Sequence, residues 1–99
     1  PEEESDSTLT VRQLTERHAK DPACWVCHQR IDPIGFAFER YDAIGRLRGR
    51  DAAGNAVDAR TRLRDGATVD GIDGLRSWLL TRKRPTILRV FCRRLLGYA

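Results

Sequence analysis

The chain has 99 residues, of which 32% are charged, and its formal net charge is +4. This length allows one small domain with a modest core, so we expect a covalent cofactor, a metal or a disulfide to add to its stability. No run of about 18 apolar residues is present, which excludes a membrane-spanning helix. The odd number of cysteines, three, argues against a purely structural disulfide framework.

Charge is distributed unevenly along the chain. Residues 1–8 are acidic and are predicted to be a flexible lead-in. Residues 74–99 carry seven basic side chains and no acidic one. This basic end favours an anionic partner such as nucleic acid, an acidic protein face or cofactor carboxylates. A solvated helix face is the simpler interpretation.

The first predicted helix runs from about Val11 to Lys20. Thr10 and Gln13 fit a capping box at its start. The helix should stop before Pro22, because the residue ahead of a proline is driven out of the α region. Helical spacing places His18 on the face predicted to be buried, where a histidine needs a polar partner or a metal.

Asp21 is expected to cap a second, short helix over residues 23–29 that carries the cysteines on its inner side. The sequence IDPIG, residues 31–35, is predicted to break that helix. Residues 36–44 follow as a third short helix or turn, ended by Gly45.

Residues 46–64 lose the helical pattern, and their Gly, Asn and Asp residues indicate a β-hairpin or an irregular segment. After this segment, Asp73 is predicted to cap a helix whose Leu75, Trp78 and Leu79 face inward.

The final predicted helix opens with Pro85 in its first turn. Leu88, Phe91, Cys92 and Leu95 form an apolar stripe along it at helical spacing. Cys92 is therefore predicted to be a small core residue rather than part of a site.

Two cysteines and a histidine form the pattern Cys-x-x-Cys-His at Cys24, Cys27 and His28. A c-type haem needs two thiols that bond to one edge of the porphyrin and an imidazole that reaches the iron from one face. This pattern is typical of such attachment. The sequence therefore predicts haem c as the cofactor, with His28 as an iron ligand.

Other interpretations of these residues stay open. Zinc could bind Cys24, Cys27 and His18, but adjacent Cys27 and His28 fit one tetrahedral ion poorly, and no second pair of ligands follows. A thioredoxin-like dithiol is a further alternative, although no predicted strand precedes the pair. The last interpretation is that the Cys-x-x-Cys-His pattern occurs by chance.

The second axial ligand of a haem iron is the next question. The chain has no methionine, and His18 is the only other histidine, so His18 is the candidate. The alternative is that His18 is a core histidine, hydrogen-bonded to a backbone carbonyl or to a haem propionate. Lysine, tyrosine, water or an open site are further options, and an open site would favour small-ligand chemistry.

Two more residues are assigned to the cofactor. By analogy with small c-type cytochromes, the backbone around Pro33 is a candidate acceptor for the second ring nitrogen of His28. Phe36 is one of the apolar residues predicted to enclose the macrocycle. Pro33 is explained equally well as a proline that forms a loop, and Phe36 as an ordinary core residue.

The segment ERHAKDPACWVCHQRIDPIGFAFERYDAIGRLR resembles a domain of unknown function found at the C-terminal end of large secreted planctomycete proteins and described as cytochrome-associated. The later stretch VDGIDGLRSWLLTRKRPTILRVFCRRLLGYA looks like the companion domain that follows it. The resemblance implies haem c binding, export to the periplasm or cell envelope, and upstream domains in a larger polypeptide. It implies no particular reaction.

Together these features predict a mainly α, small cytochrome c-like helical domain over residues 9–99, with a short irregular or β-hairpin insertion. Its Cys-x-x-Cys-His part covers about 9–64 and its C-terminal helical part about 65–99. The predicted function is an electron-transfer module that serves a redox partner protein. A haem enzyme or small-ligand sensor is the alternative, followed by a zinc-binding or basic interaction module. The terminal arginines lack interleaved aromatics, which argues against nucleic acid binding.

Overall fold

The computed structural model describes residues 8–99, so all but the last residue of the predicted lead-in lies outside it. Four helices and one two-stranded sheet follow in chain order, with a 3-10 turn after the second helix. Their bounds are α1 Val11–His18, α2 Pro22–Gly35, the 3-10 turn Phe36–Phe38, β1 Arg60–Arg62, β2 Thr68–Asp70, α3 Gly71–Arg82 and α4 Arg84–Tyr98. The prediction of a mainly α-helical chain with a small hairpin is confirmed.

Helix α1 begins with the predicted capping box. The backbone N–H of Gln13 donates to Thr10 Oγ1 at 3.0 Å, and the backbone N–H of Thr10 donates to Gln13 Oε1 at 2.9 Å. The helix ends at His18, two residues earlier than predicted. His18 is exposed, so the prediction that it lies on the buried face is wrong, and Ala19 takes the buried position where the chain turns inward.

Helix α2 begins as predicted, with the N–H of Ala23 donating to the Asp21 carboxylate at 2.8 Å. It does not break at residues 31–35 but continues through Pro33 to Gly35. A proline inside a helix removes one backbone hydrogen bond and costs about 3 kcal/mol. Two groups of contacts oppose that cost. The helix packs against the 3-10 turn and β1, and Asp32 bonds to a side chain one turn earlier.

The predicted third helix over residues 36–44 is reduced to the single turn Phe36–Phe38. The Asp42 carboxylate accepts hydrogen bonds from the backbone N–H groups of Ile44 and Arg46 at 3.0 and 2.8 Å. Aspartates that bond to nearby backbone in this way favour turns over helices. Gly45 sits in this turn with φ of 80°, a conformation that glycine adopts without strain.

The two-stranded sheet is antiparallel, with Thr61 opposite Val69 in its register. A hairpin was predicted within residues 46–64. Strand β1 lies near the end of that segment, and strand β2 lies after it. Within that segment the structure has one isolated bridge, between Arg50 and Ala56. Thr61 and Val69 both point to the interior.

The core is small and lies between the 3-10 turn, the hairpin and α3. Its buried members are Ala37, Leu63, Val69 and Leu75, with Trp78 and Leu79 packed against them. The inward orientation predicted for this face of α3 is confirmed.

Helix α3 starts three residues earlier than predicted, with its N-cap at Asp70 instead of Asp73. Asp70 occupies the N-cap position without a capping bond from its side chain, and Asp73 lies in the first turn. The Asp70 carboxylate instead accepts a hydrogen bond from Arg40 at 2.6 Å. Gly71 turns the chain from β2 into the helix with φ of 67°.

Helix α4 has Pro85 in its first turn, as predicted, but its apolar stripe is not buried. Every residue from 84 to 98 is exposed, Cys92 among them. The prediction of Cys92 as a core residue is therefore wrong. Helical periodicity identifies an apolar face but does not say what covers it, and α4 packs beside α3 rather than over the core. Among residues 8–99, no helix combines the length and apolarity needed to cross a bilayer.

Candidate functional site

The Cys-x-x-Cys-His residues all lie in the first half of α2. In a helix the steps from Cys24 to Cys27 and to His28 are i, i+3 and i+4, which places the three side chains on one side. Cys24 is half-buried and Cys27 is exposed, and neither is in a disulfide. Both thiols can therefore react with a partner brought against this side of the helix.

His28 is held by an aspartate one turn later on the same helix. Its Nδ1 lies 3.0 Å from Oδ1 and 3.0 Å from Oδ2 of Asp32. An aspartate accepts and does not donate when ionised, so the hydrogen of the neutral ring lies on Nδ1. This leaves Nε2 as the nitrogen that can bind a metal.

The acceptor of this bond differs from the one expected. The backbone around Pro33 was the candidate, whereas the structure uses the Asp32 carboxylate. The i, i+4 spacing of His28 and Asp32 was visible in the sequence, but it brings the two side chains together only in a continuous helix. The predicted break at residues 31–35 concealed it.

The second histidine lies beside the first. The ring centroids of His18 and His28 are 5.1 Å apart, and the ring planes meet at 66°. A tight turn after α1 produces this approach, with the N–H of Asp21 bonded to the carbonyl of His18 at 3.3 Å. The structure thus brings both predicted iron ligands together, although His18 is exposed.

A cavity of about 300 Å³ opens next to His28. Pro33 and Phe36, the two other residues assigned to the cofactor, line it together with Trp25 and Asp32. The guanidinium of Arg12 lies 4.4 Å from the centre of the Phe36 ring and holds that ring from the α1 side. Contact of Pro33 and Phe36 with a cofactor stays a prediction.

A second cavity, of about 280 Å³, is also lined by Pro33, and most of its charged lining residues are basic. Its charged lining residues are Arg30, Arg64, Lys83 and Asp65. This grouping is not visible in the sequence, because its members come from three separate segments of the chain.

Asp65 is the one acid in that lining, and two donors hold it. The backbone N–H of Ala67 donates to its Oδ1 at 3.0 Å, and Nε1 of Trp78 donates to its Oδ2 at 2.8 Å. The bond from Ala67, followed by the bond from Trp78, lowers the pKa of Asp65 below 3.8.

The side chains on this side of α2 are of the types that a covalently attached haem uses. Within residues 8–99, no group of three or more His, Cys, Asp or Glu side chains is placed to hold a metal ion. The zinc alternative through Cys24, Cys27 and His18 thus lacks an assembled site. A haem iron takes only its axial ligands from the protein, and the thiols and imidazole of α2 are those that haem c needs.

Large apolar side chains of α2 are exposed near the motif. Trp25, Val26 and Ile31 on α2 are 52%, 57% and 59% exposed. At 3.6 residues per turn these three positions point in different directions around α2, so they do not form one continuous patch.

One protein-family model, described as "PSCyt3: Protein of unknown function (DUF1588)", matches residues 1–51, just over half of the chain. The matched part contains α1, the whole of α2 and the residues between them. No curated protein and no solved structure shows significant similarity to the chain.

Proposed function

Because this chain belongs to the cytochrome-associated PSCyt3 family of unknown function, we propose that it is a covalent haem c-binding electron-transfer module. The observation that carries the proposal is the placement of Cys24, Cys27 and His28 on one side of α2. Haem, when bound, supplies an iron that alternates between the ferric and ferrous states. The protein's part is to attach the group, to ligate its metal and to cover it.

Attachment is the role of the two thiols. Each thiol would bond through sulfur to one vinyl group of the haem, and its hydrogen would go to the other vinyl carbon. This addition consumes no oxidant or reductant. The helical turn between Cys24 and Cys27 presents both sulfurs to the same edge, and Cys92 on α4 takes no part.

Ligation is the role of the histidines. His28 would bind the iron through Nε2, since Nδ1 is bonded to Asp32. His18 is the second ligand, which its position beside His28 supports. Ligation of one metal from opposite faces requires the two rings to lie farther apart than their present 5.1 Å. The proposal therefore includes a shift of α1 away from α2. The turn at residues 19–21 connects the two helices.

Export forms part of the proposal. Thioethers to haem are made by maturation enzymes outside the cytoplasm, so we place the protein in the periplasm or cell envelope, attached to upstream domains that exchange electrons through it with a redox partner protein. The exposed apolar side chains of α2 would be covered in this arrangement, first by the cofactor and then by the partner.

An absorption spectrum of protein exported together with the maturation enzymes tests the proposal. We expect the spectrum of a six-coordinate, low-spin haem in both oxidation states, and little or no binding of carbon monoxide to the reduced protein. Rapid carbon monoxide binding would instead support a haem enzyme or small-ligand sensor with an open sixth site. A protein without haem under these conditions would reject both functions.

A further inference from the structure

We propose that Asp32 is the positioning residue for His28 and that its negative charge lowers the reduction potential of the bound haem. This inference rests on the proposed function and adds to it the group that tunes the iron. It starts from the hydrogen bonds between Asp32 and Nδ1 of His28.

The side chains of His28 and Asp32 form a close pair. Both carboxylate oxygens lie 3.0 Å from the same ring nitrogen. The side chains of His28 and Asp32 are only 23% and 14% exposed, so water competes weakly for the bond. Within residues 8–99, His28 is the only basic group within 4 Å of the Asp32 carboxylate.

The hydrogen bond from His28 to Asp32 has two effects on His28 as an iron ligand. It keeps the hydrogen on Nδ1, which presents the lone pair of Nε2 to the metal. It also makes the ring a stronger electron donor, since a carboxylate bonded to a ligating histidine raises the basicity of that ligand. The ferric state carries one more positive charge than the ferrous state and gains more from both effects, so the reduction potential falls.

Fixed placement within α2 gives Asp32 this role. The helix continues past residue 31, so the backbone of Asp32 stays one turn from that of His28 and keeps the two side chains within hydrogen-bonding reach. The cavity beside the pair is lined by Lys20 and Glu16 as well. Glu16 bonds to Arg12 at 3.1 Å instead of to His28, which makes it a matched control for a nearby negative charge.

The test is a spectroscopic redox titration of the haem-loaded protein and of the variants Asp32→Asn, Asp32→Ala and Glu16→Gln. We expect each Asp32 variant to shift the reduction equilibrium toward the ferrous state at least tenfold, which is about 59 mV for one electron. Glu16→Gln should shift it much less. An unchanged potential in both Asp32 variants, or an equal shift in Glu16→Gln, would overturn the inference.

A second readout uses the protein before haem attachment and does not depend on the proposed function. Nitrogen-15 NMR of the neutral His28 ring at alkaline pH should show the hydrogen on Nδ1 in the wild type and its redistribution toward Nε2 in Asp32→Ala. An unchanged tautomer in that variant would overturn the positioning role, even if the variant takes up no haem. A wild type that never binds haem would reject the proposed function while leaving this tautomer result to decide the role of Asp32.

Discussion

The imidazole of His18, at the end of α1, lies edge-on to the imidazole of His28 in α2, with ring centroids 5.1 Å apart. Nine residues of sequence lie between them, yet the turn at residues 19–21 places the two rings in contact. His18 is exposed and therefore does not act as an ordinary core histidine. The pair makes His18 the residue whose replacement tests the iron ligation most simply.

Replacing His18 by alanine should convert the haem-loaded protein from low spin to high spin, because the iron would lose its second strong-field ligand. The absorption spectra of the oxidised and reduced protein report the change. Arg17→Ala is the matched control, since Arg17 is an exposed neighbour on the same helix. A low-spin spectrum in His18→Ala identical to that of the wild type would remove His18 from the ligand set.

Leu75 and Leu88 are matched leucines in neighbouring helices with opposite burial. Leu75 is 3% exposed in the core, and Leu88 is 52% exposed on α4. We expect Leu75→Ala to lower the free energy of unfolding by about 2–5 kcal/mol and Leu88→Ala to change it by about 0.5 kcal/mol or less. Urea denaturation followed by circular dichroism measures both. A large loss in Leu88→Ala would mean that α4 packs into the core.

We expect Asp65 to make the free energy of unfolding depend on pH. Its pKa is lowered in the fold by the N–H groups of Ala67 and then Trp78, so the ionised form is the one the fold stabilises. That stabilisation is complete above about pH 4, the pKa of an unfolded aspartate, and is lost as the pH falls through the lower folded-state pKa.

The urea midpoints of wild type and Asp65→Asn should therefore differ near neutral pH and converge in acid. Asp73→Asn, at an exposed aspartate of α3, serves as the control. A difference between wild type and Asp65→Asn that stays constant from neutral to acidic pH would contradict this account of Asp65.

Local signals in the sequence predicted three of the four helix starts in residues 8–99. Thr10 with Gln13, Asp21 with Pro22, and Pro85 each act within a few residues, and the structure has all three starts. The errors came from non-local packing. Pro33 was expected to end α2, but tertiary contacts keep it helical. The stripe on α4 was expected to be buried, but its periodicity carried no information about a covering partner.

In the candidate site too, the relation that depends on local spacing was predicted correctly and the one that depends on tertiary contacts was missed. The spacing of Cys24, Cys27 and His28 was sufficient to predict that they share one side of a helix, because that relation is local. The pairing of His28 with Asp32 depended on the helix continuing through Pro33 and was missed. The approach of His18 was proposed from the absence of methionine, and the structure shows the proximity without testing the ligation.

Intact mass under denaturing conditions tests the central claim most directly. Protein exported together with the haem maturation enzymes should carry the added mass of one haem, and Cys92→Ala should carry it as well. The double variant Cys24→Ala/Cys27→Ala should lack it entirely. A wild-type protein recovered from the same host at its bare polypeptide mass, colourless and with both motif thiols free, would contradict the account.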